Sequence, residues 1–420
     1  MKESKYNYTV SGEKTVFFNS RTKRYFFISK NNTEQITDIL HKPNLYKNRY
    51  NSFIERMKKE GFILEDEEDE YKMMMNVYRN SLHKNDYTLM IVPTYRCNLR
   101  CWYCYQDHRP QDMSEETVKR IKLHIHKYLT EHEIENFHIS WFGGEPLVKF
   151  DILYDVSIYA KKECEKLGIN MNCNITTNSL LLDDSKIELL NDCNVDFFQI
   201  TIDGCKDEHN NVKHIPHVDT FTRALDNIVS IVKNMPKTHC ILRINLSHKI
   251  HDPSELINQI DEIIPEELRY KVKVDIQTVW QEAKDESTYE KIYKVRDKAQ
   301  NSKFQTTTFH QGICYVDFKH YNFIFPNGSV DICDHEGIDK VGRGKLTKNG
   351  DILWFKELQC FKYNINNENI ICNKCKHVLL CGGPCPATRN SLPEDVLKNQ
   401  CTESNIEEDI EQMIKHVCTL

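Results

Sequence analysis

From Thr88 onward the chain alternates between two hydrophobic rhythms. Short, mostly apolar runs at Thr88–Pro93, Phe137–Phe142, Ile169–Thr176, Val195–Ile202, His239–Leu246 and Tyr270–Val279 predict strands. Between them, apolar residues recur at three- and four-residue steps. Val118, Ile121, Ile125 and Tyr128 form one such set; Leu153, Val156, Ala160, Cys164 and Leu167 a second; Phe221, Leu225, Ile228, Val232 and Met235 a third. That spacing lays each set along one face of an α-helix. Repeated strand–helix units predict an α/β fold with a parallel sheet and right-handed crossovers. Six units suit a partial (β/α)6 barrel of TIM type better than a full eight-fold one, with ligands at the C-terminal ends of the strands.

Upstream the rhythm is shorter. Tyr8 to Ser29 reads as strands, with Thr15–Phe18 and Tyr25–Ile28 flanking a polar turn at Asn19–Lys23. Glu34–Leu40 and a stretch through Phe53–Met57 read as amphipathic helices, the second closed by Gly61, a C-cap residue. The acidic run Glu65–Glu70 is expected to be a solvated linker. The pattern divides the chain into a small α+β domain at 1–85, the barrel at 86–305 and a cysteine-rich part at 306–420.

Chemistry enters where the first barrel strand ends. Cys97, Cys101 and Cys104 follow the apolar run Leu89–Val92 at spacings of three and two residues. Thiolates hold iron–sulfur clusters, and a four-iron cluster takes four ligands. Three local cysteines hold three irons and leave the fourth open to a substrate. The competing readings are core cysteines or a zinc knuckle, but zinc sites usually pair CxxC with a second pair, and none lies nearby.

This triplet, with Tyr103 before its last cysteine, resembles the signature of the radical S-adenosylmethionine (radical SAM) superfamily. The resemblance implies that the open iron chelates the methionine moiety of S-adenosylmethionine. Reductive cleavage then yields a 5′-deoxyadenosyl radical that takes hydrogen from a substrate. Gly143-Gly144-Glu145-Pro146, at the end of the second strand, resembles the family's GGEP motif, which receives the cofactor's ammonium group. Thr177 and Asn178, ending the third strand, resemble a polar site near the ribose. Arg243 is a charge within an apolar strand and needs an anion; the cofactor carboxylate or a structural ion pair would serve. Asp203-Gly204 reads as a turn. His124, His126, His132 and His138 are expected to be structural.

The C-terminal part carries Cys314, then Gly328 and Cys333, then Cys372, Cys375, Cys381 and Cys385, then Cys401. The pattern CX13GX4C, CX2CX5CX3C, C is similar to the SPASM (SPASM/Twitch) extension of radical enzymes that modify peptides. The resemblance implies two auxiliary [4Fe-4S] clusters, three in all with the one at the triplet. Cys372, Cys375, Cys381 and Cys401 would hold the outer one. Cys314, Cys333 and Cys385 would hold the inner one, with His310, Cys360 or an open iron at its fourth position. Zinc on Cys372, Cys375, Cys381 and Cys385 is the alternative. The N-terminal part resembles a winged-helix-like leader-recognition element, which captures a precursor's leader as an added strand. Removing residues 1–80 is therefore expected to weaken precursor binding and spare cofactor cleavage.

Composition narrows the reading. Seventeen cysteines in 420 residues point to metal binding or catalysis in a reducing compartment. Cys164, Cys173, Cys193, Cys205 and Cys240 lie in apolar settings and read as buried fillers. A net charge of −6 leaves no basic footprint for nucleic acid. No apolar signal region opens the chain and no membrane-length apolar run follows, so a cytoplasmic location is expected. The function implied is a radical SAM maturase that crosslinks a ribosomally made precursor peptide through a thioether or carbon–carbon bond, fed electrons by a flavodoxin or ferredoxin. The alternatives are an anaerobic sulfatase-maturing enzyme, which makes formylglycine, and a non-catalytic scaffold. No catalytic base is legible.

Overall fold

A computed structural model describes all residues except 83, 107, 248–249, 251, 280, 283–285, 307–313, 316–317, 334–342, 356–374, 382–409, 412–413 and 415–420. The chain separates into two bodies. One comprises Met1–Lys84, Thr308–Lys319 and Lys362–Leu420; the other comprises Asn85–Thr307 and His320–Phe361.

The larger body is built on strands β6 (Asp86–Ile91), β7 (Asn136–Trp141), β8 (Asn170–Thr177), β9 (Val195–Ile202), β10 (His239–Leu246) and β11 (Val272–Thr278). Each pairs in parallel with the next. This is the partial barrel the hydrophobic rhythm predicts, and the strand bounds differ from the sequence reading by at most two residues. Between the strands run α4 (Glu115–Glu131), α5 (Phe150–Leu167), α6 (Asp184–Asp192), α7 (Lys206–Val212), α8 (Thr220–Asn234) and α9 (Pro253–Ile263). Ser114, Asp183, Asp219 and Asp252 cap α4, α6, α8 and α9 with side-chain oxygens. The helical stripes read from sequence face the sheet: Ile121, Ile125, Leu153, Val156, Leu225 and Ile228 are fully buried.

The sheet does not stop where the barrel was expected to end. β12 (Gln305–Thr306) extends it beyond β11. On the far side β13 (Tyr321–Ile324) joins β6 in parallel, and β14 (Ser329–Asp331), β15 (Gly344–Leu346) and β16 (Ile352–Trp354) continue antiparallel. The division expected at residue 305 therefore runs through one sheet, which has eleven strands among the described residues. A buried polar chain ties the extension to the barrel. Asn322 donates to the Tyr87 hydroxyl (3.0 Å), which meets His124 Nε2 (2.7 Å), while His124 Nδ1 lies 2.8 Å from the Gly350 carbonyl. A carbonyl only accepts, so Nδ1 carries the proton and Nε2 accepts from the phenol. His124 thus has a structural role. So do His126, paired with Glu163, and His132, stacked on Tyr128. His138 hydrogen-bonds Asn172.

In the smaller body, β2 (Asn7–Ser11), β3 (Thr15–Asn19) and β4 (Arg24–Ile28) form an antiparallel sheet. β1 (Lys2–Glu3) pairs with β5 (Ile63–Leu64), and α1 (Thr33–His41) and α2 (Pro43–Glu60) follow the sheet. Gly61 caps α2 at φ 87°, as read. Phe17 packs with Ile39, Leu40, Ile54 and Met57. The other side of β2 and β3 packs Tyr8, Val10, Val16 and Phe18 against Leu380, Ile410 and Ile414 from the far end of the chain. The acidic run departs from expectation at its end. Glu70 opens α3 (Glu70–Leu82), is buried, accepts from Ser4 Oγ and the Lys5 amide, and pairs with Arg21. Periodicity does not see a carboxylate whose partners lie some 65 positions away.

Burying one large apolar side chain contributes ~1.5–3 kcal/mol, so the shared core makes a clean N-terminal deletion unattainable. Removing residues 1–84 uncovers Leu380, Ile410 and Ile414, and the shortened chain is expected to aggregate rather than merely lose precursor affinity. Size-exclusion chromatography of the truncated protein checks this; a monodisperse monomer would contradict it.

Candidate functional site

β6 ends at Ile91 and the chain turns into the cysteine loop, whose entrance is pinned first. The Thr94 hydroxyl donates to Asp112 (2.7 Å) and accepts from the Arg96 amide (3.0 Å). Asp112 also pairs with Arg96 and Lys149, each at 3.3 Å. Burial opposes its charge, but these donors outweigh it and hold its carboxyl below the usual range. In the loop itself, the Cys104 amide bonds the Cys101 carbonyl (3.0 Å), and the Leu99 amide points at Cys97 Sγ (3.4 Å).

Cys97, Cys101 and Cys104 line one cavity of about 220 Å³. Burial pushes the Cys97 thiol up to about 12 and Cys101 up to about 11, and raises Cys104. Thiols raised in this way are neutral at pH 7, so binding a metal as thiolates expels their protons. Three cysteines lining one cavity suit a cluster bound through three thiolates, although no three His, Cys, Asp or Glu among the described residues are grouped as a single metal ion would need.

The GGEP turn after β7 holds the loop from the other side. The Gly144 amide bonds the Thr94 carbonyl (3.2 Å) and the Glu145 amide bonds the Arg96 carbonyl (2.9 Å). A Cβ on Gly144 would lie 2.3 Å from the Arg96 carbonyl oxygen and 2.4 Å from that of Tyr95. Gly143 sits at φ 129°, a region only glycine enters readily. The glycines are thus required by backbone meeting backbone, directly before Cys97. Pro146 starts the following short helix and is buried.

Glu145 is 1% exposed. Its carboxylate accepts from the Leu147 amide (3.0 Å), the Thr177 hydroxyl (2.7 Å) and the Asn178 amide (2.8 Å). Burial still raises its carboxyl, though these bonds pull the other way. Glu145 therefore ties the end of β7 to the end of β8. Thr177 is spent on this bond. The Asn178 side chain reaches Asn98 Oδ1 at 2.8 Å and Cys97 Sγ at 3.9 Å. Tyr103, Gly143, Gly144, Glu145, Thr177, Asn178 and Arg243 all line the same cavity. Arg243 Nε donates to Asn245 Oδ1 (3.1 Å).

The end of β9 adds residues the sequence reading passed over as a turn. Asp203 is buried and accepts from the Tyr103 hydroxyl (2.5 Å) and the Asn245 amide (3.2 Å). Lys213 is 3% exposed, lines the cavity, donates to the Thr201 carbonyl (2.6 Å) and lies 3.1 Å from Asp203. Burial opposes the Asp203 charge, but Lys213 and the Tyr103 hydroxyl keep its carboxyl below the normal range. Burial and Lys213 push His209 down to about 3, so it stays neutral. No signal in the sequence marks Lys213: only its burial shows that its ammonium needs an anion.

The C-terminal cysteines are only partly described. Cys333 is buried just after β14, whereas Cys314 and Cys375 are half-buried in the smaller body. Cys381 ends a short helix, Val378–Cys381. Cys372, Cys385 and Cys401, with His310 and Cys360, lie outside the described residues. Among the fillers, Cys164, Cys173, Cys193 and Cys240 are buried and Cys205 is half-buried.

The sequence model of the Radical SAM superfamily matches residues 91–260. A probable GTP 3′,8-cyclase of Methanothermobacter marburgensis is 30% identical over 124 residues, 29% of this chain and 36% of the cyclase. The chain spans 36% to 55% of the length of the first two curated relatives it matches. Two solved structures share the fold. One is anSMEcpe with bound AdoMet and the Kp18Cys peptide: TM-score 0.52, 20% identity, 71% of this chain and 89% of that one. The other is Streptococcus suis SuiB bound to precursor peptide SuiA: TM-score 0.51, 15% identity, 94% of this chain and 97% of that one. No helix among the described residues is long and apolar enough to cross a membrane.

Two outcomes are expected. Gly144→Ala forces the GGEP turn off the Thr94–Arg96 backbone, so anaerobically reconstituted protein should hold less iron per chain while its far-UV circular dichroism is unchanged. Separately, the unfolded chain protonates His209 near pH 6.5 whereas the folded one waits until about 3. Stability should therefore fall as pH drops from 6.5, by at most about 1.4 kcal/mol per unit from this group. Urea denaturation of cluster-free protein between about pH 6.5 and 4.5 measures the slope, and His209→Gln should flatten it.

Proposed function

We propose that this chain, which carries a radical SAM domain at residues 91–260, is a maturase acting on a ribosomally made precursor peptide. The observation that carries the reading is the convergence of Cys97, Cys101 and Cys104 with the GGEP turn on one cavity at the C-terminal ends of parallel strands. Bound there, a four-iron cluster and S-adenosylmethionine supply a 5′-deoxyadenosyl radical that takes hydrogen from the substrate. The chain's part is positioning and exclusion of water. Glu145 fixes the backbone of the GGEP turn, so the carbonyls of Gly143 and Gly144 are held for the cofactor's ammonium group. Lys213 and Arg243 are the cations available to its carboxylate. Asp203 orients Tyr103 against the cluster loop.

Peptide substrates are supported by fold likeness to proteins crystallised with the precursor SuiA and the Kp18Cys peptide. The product is a thioether or carbon–carbon crosslink. The C-terminal cysteines would hold two auxiliary clusters, whose potentials their thiolates would tune and which would supply an acceptor for the electron that crosslinking releases. A flavodoxin or ferredoxin reduces the radical cluster, in the cytoplasm where thiols stay reduced. The leader docks on the smaller body. β4 is an edge strand of the three-stranded sheet and exposes Tyr25 and Phe27, 44% and 41%, an opening for strand addition.

The formylglycine-forming alternative draws on the anSMEcpe likeness, which covers 71% of this chain against 94% for SuiB. Mass spectrometry separates the two: a co-expressed neighbouring precursor should lose two hydrogens per crosslink, whereas a sulfatase peptide should gain an aldehyde.

The prediction has two arms. Reconstituted protein given S-adenosylmethionine and dithionite anaerobically should release 5′-deoxyadenosine; none from a fully loaded protein sinks the radical reading. Phe27→Asp should weaken leader binding at least tenfold by calorimetry, about 1.4 kcal/mol, without changing peptide-independent 5′-deoxyadenosine formation.

A further inference from the structure

The three sulfurs of the cysteine loop do not have equivalent surroundings. Cys97 Sγ receives the Leu99 backbone amide and, more distantly, the Asn178 side chain. Cys104 Sγ has the Gln106 backbone amide and, in addition, faces a ring: His108 Nε2 lies 3.2 Å away. His108 holds this position at a backbone φ of 49°, in the left-handed region that non-glycine residues seldom occupy. The chain beyond it is fastened so that the conformation persists. The Arg109 carbonyl accepts from the Gln111 amide (2.8 Å), the Gln111 carbonyl accepts from the Tyr95 amide (3.0 Å), and the Arg109 guanidinium sits 5.1 Å over the Tyr95 ring. Thr94 and Asp112 close the same segment as an antiparallel bridge. A ring so held is aimed by the fold.

We propose that His108 is a positioning residue for the radical cluster that donates Nε2–H to the Cys104 thiolate and so raises the cluster's reduction potential. A thiolate offers several lone pairs, so one can bind iron while another accepts the hydrogen bond. A donor at the sulfur withdraws electron density from the cluster. It therefore favours the reduced form, which carries one more negative charge. Cluster reduction is the step that precedes cofactor cleavage, so His108 governs how strong a donor the enzyme needs. The inference rests on the reading that the trio holds a four-iron cluster.

The test is an anaerobic, EPR-monitored redox titration of the reconstituted full-length protein. The radical cluster is the one whose signal changes when S-adenosylmethionine is added. Three proteins are compared: wild type, His108→Leu (similar bulk, no donor) and His108→Gln (an amide donor retained). In His108→Leu the reduced-to-oxidised ratio at a fixed poise should fall roughly three- to tenfold, tenfold being ~59 mV for a one-electron couple. His108→Gln should recover part of the shift. Equal potentials in wild type and His108→Leu, with equal iron content, overturn the proposal. So does equal loss in both variants, since packing alone would then account for it. If His108→Leu fails to load iron, the wild-type and His108→Gln pair decides: the proposal stands on a potential within a threefold ratio of wild type and falls on a larger loss. A wild type with no signal responsive to S-adenosylmethionine would instead defeat the cluster reading itself.

Discussion

One buried carboxylate holds the site together. Glu145 sits at the end of β7, but its three donors come from its own turn and from the end of β8. A charge so deeply buried is costly unless every oxygen is satisfied. Its retention therefore fixes two strand ends relative to each other. The two glycines before it then carry the constraint to β6, because they allow the turn to lie on the Thr94–Arg96 backbone. Cys97 follows immediately. The geometry of a sulfur is thus set by packing of main chain on main chain from the neighbouring strand end, more than by anything in the cysteine loop.

The second buried charge system sits at the end of β9. Lys213 and Asp203 are almost wholly buried, and Asp203 also holds the Tyr103 hydroxyl and the Asn245 amide. Removing one partner of such a pair typically costs about 3–5 kcal/mol, far more than the pair contributes over an apolar replacement. An arrangement that is poor value for stability is better understood through its position. Tyr103 belongs to the cysteine loop, so Asp203 clamps that loop to β9 as Glu145 clamps β8 to β7. Two carboxylates thus act as brackets: Glu145 in the cavity wall, and Asp203 behind Tyr103 and Lys213, which line it.

The barrel was legible because its strands and helices obey separate periods over long stretches, and burial enforces both. Val195–Ile202 and His239–Leu246 agree with the sequence reading to the residue. The cysteine loop and the GGEP turn were legible because their spacing is set by covalent geometry and by glycine's conformational range. Asp203 and Lys213 were not, since their significance lies in a contact between residues ten apart that no period marks. Glu70 was misread for the same reason: a carboxylate at the end of an acidic run looks solvated until Ser4, Lys5 and Arg21 fold over it. The continuation of the sheet through β13 to β16 was missed because those strands are three or four residues long, too short for alternation to register.

The smaller body places a limit on how its parts can be understood. β3 is buried along its whole length, with Phe17 packed among the helical residues and Val16 and Phe18 facing Leu380, Ile410 and Ile414. Tyr8 reaches further: its hydroxyl donates to the Lys376 carbonyl (2.9 Å) and lies 3.2 Å from His377 Nδ1, and the His377 amide points at Cys375 Sγ (3.4 Å). An N-terminal sheet and a cysteine turn from the far end of the sequence are therefore parts of one core. A small α+β domain of some eighty residues has little apolar surface to bury by itself; here the missing layer arrives from the C-terminal segment. β4, at one edge of the sheet, exposes Tyr25 and Phe27 to another molecule. Any change in how the Cys375 turn is held has a route of direct contacts, through Tyr8 and β3, to that edge.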